Sequence, residues 1–82
     1  MKDLKDTAAM MCSADYKERF AAEYYQLETR YLKLKDMVGK WDNGVLNFTP
    51  TCPRGTYYFQ LKAMKEYLDI LQIRAKLEGV EL

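Results

Sequence analysis

The chain has 82 residues, enough for one small domain, with 49% hydrophobic and 30% charged residues, well inside the globular range. Thirteen basic against twelve acidic residues leave a net charge of +1, which argues against general duplex DNA binding. There is no histidine, and the two cysteines, Cys12 and Cys52, are too few and too far apart for a secreted disulfide scaffold.

Met1-Lys2-Asp3-Leu4-Lys5-Asp6 lacks the apolar core of a signal peptide, and no apolar run is long enough to span a bilayer. The expected location is therefore the cytosol. Residues 1–12 predict a short N-terminal helix or arm with Leu4, Ala8 and Met11 on one face. Such a helix is too short to hold alone and has to dock on a neighbour or fray.

Residues 13–82 read as one helical domain. Ser13 or Asp15 can cap its first helix, and Asp15 with Glu18 has capping-box spacing. That helix is expected over about 14–42, with an apolar seam of Phe20, Tyr24, Leu27, Tyr31, Leu34, Val38 and Trp41 in alternating steps of four and three. Asn43-Gly44 supplies residues that tolerate a left-handed cap. A turn over 43–52 follows, in which Val45 to Phe48 is expected to be extended. Thr51 or Cys52 starts the second helix, about 53–78, with Pro53 in its first turn. Its seam is Tyr57, Leu61, Met64, Leu68, Leu71 and Ala75, and Gly79 is the expected C-cap.

The fold class is thus all-α: an antiparallel two-helix hairpin with a short N-terminal helix. Antiparallel pairing sets Trp41 opposite Tyr57 and Tyr24 opposite Ala75. Tyr67, Ile70, Ile73 and Leu77, with Tyr25, Leu32 and Met37, fall off the seams. A lone hairpin with no disulfide or metal is a poor candidate for a stable monomer. A second apolar face is the mark of helix packing between subunits, so the expected state is a homo-oligomeric helical bundle.

Without histidine the commonest general base and metal ligand are gone, and the acids alternate with Lys or Arg, as in Asp15/Arg19 and Lys62/Glu66. No catalytic residue, metal site or cofactor is expected. Cys12 and Cys52 are read as packed side chains. The seven tyrosines are the more informative excess. Tyr16, Tyr25 and Tyr58 lie off the seam, and tyrosines beside Arg or Lys can stack a base and hold a phosphate. Arg19, Arg30 and Lys33 share the first long helix, while Arg54 sits at the N-terminus of the second, where free backbone N–H groups favour an anion. Candidate ligand-binding residues are Tyr16, Arg19, Tyr25, Arg30, Lys33, Arg54 and Tyr58. Arg74 shares the end of the hairpin with Tyr16, Arg19 and Tyr25. No pocket closes within one hairpin, which puts a site between subunits.

The stretch from Ser13 to Phe20 (SADYKERF), Lys40-Trp41-Asp42-Asn43-Gly44, Phe48-Thr49-Pro50-Thr51-Cys52-Pro53, Gln60 to Leu68 (QLKAMKEYL) and Arg74-Ala75 to Glu78-Gly79 resembles small helical proteins of tailed and crAss-like bacteriophages. In size and layout the chain also resembles the phage cyclic-nucleotide sponges that counter CBASS and Thoeris immunity. That resemblance implies a homo-oligomer, often a hexamer, in the cytoplasm of an infected bacterium. It would trap a cyclic oligonucleotide or a cyclic ADP-ribose type signal between subunits without cleaving it. Tyr16 as base-stacking ring, with Arg30 or Lys33 as phosphate partner, is what the resemblance implies for the site. The alternatives are a helical interaction module that binds a host or phage protein, and a nucleotide-degrading enzyme, which the lack of histidine and of an acidic cluster disfavours.

Overall fold

The computed structural model describes residues 3–82, so Met1 and Lys2 of the expected N-terminal segment lie outside the described residues. Three helices follow in order, α1 (Leu4–Met11), α2 (Tyr16–Asp42) and α3 (Arg54–Glu78), with no strand among the described residues. At 1.5 Å rise per residue α2 is about 40 Å long, and it sets the longest dimension of the molecule, 43 Å.

α2 is the middle layer. α1 and α3 each pack on it, and make no contact with one another. The α3 side is the seam expected from the spacing: Phe20, Tyr24 and Val38 of α2 and Leu68, Leu71 and Ala75 of α3 are buried. The other seam positions, Leu27, Tyr31, Leu34, Trp41, Tyr57, Leu61 and Met64, are half-buried. Cross-helix partners run in opposite order along the two helices. Tyr16 bonds Glu78, Tyr24 bonds Gln72, and Trp41 meets Tyr57 edge to face with centroids 6.1 Å apart. Tyr24 reaches Gln72 and not Ala75 with its hydroxyl, because the ring lies in the core while the oxygen has to leave it for a donor.

α1 turns inward a face centred on Thr7 and not on Ala8, with Leu4 and Met10 half-buried beside it. Thr7 is fully buried while Ala8 and Met11 are exposed. Burial of a hydroxyl is tolerated here because Thr7 Oγ1 donates to the Leu4 carbonyl at 2.8 Å. Met11 still touches α2, accepting a hydrogen bond from Gln26 Nε2 at its sulfur. No buried side-chain N or O among the described residues lacks a hydrogen-bond partner.

The helix ends explain where the elements stop. Asp15 caps α2 by accepting from the Lys17 N–H at 3.0 Å. The expected Asp15/Glu18 box does not form: the Asp15 N–H donates to Ser13 Oγ, and that hydroxyl donates to Glu18. A single serine thus bridges the cap and the carboxylate. At the other end of α2, the N–H of Gly44 donates to Trp41 and that of Val45 to Lys40, a Schellman arrangement closed by Gly44 at φ 71°. α3 ends the same way, with Gly79 at φ 71° and the Val80 N–H on the Ala75 carbonyl, which tucks Val80 into the core. α3 begins one residue later than the sequence suggests. Pro53 is its N-cap, with no side-chain capping bond, because Thr51 and Cys52 precede the last non-helical residue. The 45–48 stretch forms no strand and bends at Asn47 and Phe48.

Candidate functional site

The seven candidate residues fall in three places on the long helices. Tyr16 and Arg19 lie at the start of α2, Tyr25, Arg30 and Lys33 along its middle, and Arg54 and Tyr58 at the start of α3. Tyr16 and the Asp42 partner of Arg54 are separated by the whole of α2, about 40 Å at helical rise. One chain therefore cannot bring all seven to one ligand.

Several of them are engaged inside the chain. Tyr16 donates to Glu78 Oε1 at 2.5 Å and accepts from Arg74 Nη2 at 3.1 Å, while Arg74 Nε bonds Glu78 Oε2 at 2.9 Å. The Arg74 guanidinium also stands 4.9 Å over the Phe20 ring. This closed cluster ties the start of α2 to the end of α3. Glu78, held first by the Tyr16 hydroxyl and then by Arg74, lies below the usual carboxylate range, and the Tyr16 phenol is raised, chiefly by its bond to Glu78. Tyr16 remains a neutral donor at physiological pH.

Arg19 donates to the Ser13 carbonyl at 2.8 Å and not to Asp15, so it braces the α1–α2 corner. Arg54 makes a two-pronged pair with Asp42, Nε to Oδ1 at 3.0 Å and Nη2 to Oδ2 at 2.9 Å. The pair lowers Asp42 and raises Arg54, in each case first through the hydrogen bonds between them. It clasps the two ends of the 43–53 connection, with Trp41 against Tyr57 beside it.

The remaining four differ. Arg30 and Lys33 are exposed. Neither has a hydrogen bond or ion pair among the described residues. Tyr25 is half-buried, edge-on to Tyr24 at 5.6 Å. Tyr58 is exposed and meets Phe59 edge to face.

Three grooves of the described surface are lined by none of the seven. One of about 310 Å³ lies between the last turns of α2 and Val45 to Phe48, and one of about 420 Å³ between Met10, the start of α2 and Gly79 to Glu81. A third, of about 210 Å³, lies over Ala75 and Leu82.

Sequence reasoning missed the acids that occupy its cations and phenols. Glu78 and Asp42 belong to no short-range pattern with Tyr16 and Arg54. Glu23, which accepts from the Tyr67 hydroxyl and raises its pKa, is equally remote in the chain. Antiparallel register was the one available signal, since it sets Tyr16 near Glu78. Among the described residues the ion pairs within helices are Lys40 with Asp36, Lys65 with Asp69 and Arg74 with Glu78; Asp15/Arg19 and Lys62/Glu66 do not form. Both cysteines are exposed and free, correcting their reading as packed residues. The short loops around them have no core to cover them. Cys52 does meet Tyr57, whose phenol it raises by hydrogen bonding. No group of His, Cys, Asp and Glu among the described residues could hold a metal ion.

The model of the Sequestin family matches residues 14–77. The chain belongs to the Sequestin family. The Sequestin match takes in all of α2, the connection and α3 to its penultimate residue, and leaves α1 outside. No curated protein matches, and no solved structure matches. No described helix is long and apolar enough to cross a membrane.

Proposed function

We propose that this protein is a phage-encoded immune-evasion sponge. It binds a nucleotide second messenger of bacterial defence in the cytoplasm of the infected host, a cyclic oligonucleotide or a cyclic ADP-ribose type molecule of CBASS or Thoeris signalling. It holds that molecule without cleaving it. The observation that carries this reading is membership of the Sequestin family over the α2–α3 unit, because the family's name denotes sequestration. In this reading α2 and α3 are an antiparallel hairpin, and hairpins assemble into a homo-oligomer, a hexamer by resemblance to known sponges, with binding pockets between copies.

The contacts in the isolated chain support a division of labour among the candidates. Arg30 and Lys33 have no partner to give up on binding a phosphate, so their charge is available at little cost. Tyr58 offers an open ring for stacking. Tyr16, Arg19 and Arg54 hold the scaffold, and Tyr25 is half-buried against Tyr24.

The test is capture and release. The protein is incubated with a panel of cyclic dinucleotides, cyclic trinucleotides and cyclic ADP-ribose isomers, filtered, and then heat-denatured. Depletion of one nucleotide from the filtrate and its recovery unchanged after denaturation is the expected result. Recovery of a cleaved product would assign an enzyme, and no depletion would overturn the reading. The apolar outer face of α3 favours one alternative, a module that binds a partner protein's helix. In that case the chain would be monomeric or dimeric alone and assemble only with its partner.

A further inference from the structure

α3 has a second stripe that nothing in the chain covers. Phe59, Ala63, Glu66, Ile70, Ile73 and Leu77 recur in steps of four and three, and they lie on the side of the helix opposite Leu61, Leu68 and Ala75. Phe59 is 68% exposed, Ile70 55%, Ile73 58% and Leu77 82%. These are values for surface charges, not for branched aliphatic residues. A stripe of this period presents a seam that a helix of the same period can fill, with residues flanking it free to set the register.

We infer that the stripe from Glu66 to Leu77 pairs with the same stretch of a second copy, α3 against α3, antiparallel about a two-fold axis between Ile70 and Ile73. The flanking charges choose this register over its neighbours. With Ile70 opposite Ile73 of the partner copy, Asp69 faces the partner's Lys76 on one flank, twice by symmetry. On the other flank Arg74 faces the partner's Tyr67. One heptad step in one direction sets Asp69 against Asp69 and Lys62 against Lys76, which is repulsive along the whole of that flank. A step further leaves Ile73 and Leu77 uncovered and brings Glu66 to the centre. Lys76 has no ion-pair partner among the described residues, and the Asp69 side chain is half exposed beyond its bond to Lys65, so both are available.

A two-fold contact of this kind yields an even number of chains. The pairing concerns the assembly part of the function proposed above and is independent of its ligand, so nucleotide capture can fail while the pairing stands. It also leaves Arg30, Lys33 and Tyr58 outside the contact.

Sedimentation velocity on the full chain tests it. The expected result is an even-numbered assembly at micromolar concentration, reduced to half or less in mass by Ile70→Glu/Ile73→Glu with the helical circular dichroism unchanged. Asp69→Lys alone should weaken the pairing about tenfold or more by setting lysines face to face, and Asp69→Lys/Lys76→Asp should restore it. A monomer or a trimer for the natural chain would overturn the inference. So would an assembly indifferent to Ile70→Glu/Ile73→Glu, and failure of the double exchange to restore would overturn the register.

Discussion

The two faces of α3 have the same spacing and opposite fates. Leu68, Leu71 and Ala75 are nearly sealed against α2, Leu71 at 1% exposure, while Phe59, Ile70, Ile73 and Leu77 on the far side stand in water. Period alone cannot distinguish them. What differs is the neighbour: α2 is long enough to cover one face of α3 for most of its length, and α1 packs on α2 without touching α3. Apolar surface on a helix states that a partner is required, and only the count of available helices states whether that partner lies in the same chain.

The sharpest way to break the comparison is a matched pair of truncations. Leu71→Ala should destabilise each chain by about 2–5 kcal/mol, read as a lower midpoint in urea, because it leaves a cavity in a sealed site. Ile73→Ala should leave that midpoint within about 0.5 kcal/mol at dilutions where chains are single, and act instead on assembly. Equal effects at both positions would erase the distinction between the faces.

Ligand capture should separate the candidate residues in the same way. Arg30→Ala/Lys33→Ala removes two cations without in-chain partners, so affinity for the captured nucleotide should fall about tenfold or more while the urea midpoint stays unchanged, measured by fluorescence competition. Tyr16→Phe should do the reverse, lowering the midpoint modestly and sparing affinity.

Acid should loosen the Tyr16–Arg74–Glu78 end first. Glu78 is depressed in the folded chain, so its contribution is present above the ordinary carboxylate value and is lost as pH falls through the folded value. Glu78→Gln should therefore flatten the acid limb of stability against pH. Tyr16 is raised, so its contribution holds below the ordinary phenol value near 10 and fades as pH rises through the folded value. The smallest effect belongs to Arg54→Ala. Its pair with Asp42 is exposed to solvent and salt, and the melting temperature should shift little and only at low ionic strength.

The seams, the glycine caps and the helical class are legible in the sequence because each rests on local period or on backbone conformations that glycine alone takes easily. Thr7 was not, since its burial depends on a hydroxyl bonding back to Leu4. The candidate site was legible only as residue types. Tyr16, Arg19 and Arg54 have the chemistry of nucleotide contacts, yet Glu78, the Ser13 carbonyl and Asp42 occupy them. Those partners are set by three-dimensional register, which spacing along one helix does not encode.

The most direct test of sequestration is calorimetry of the assembled protein titrated with cyclic oligonucleotides and cyclic ADP-ribose isomers. We predict saturable heat with one of them, at a fixed whole-number ratio of nucleotide to assembly and with no continuing heat of turnover. Absence of heat from every nucleotide, with assembly intact, would contradict the account.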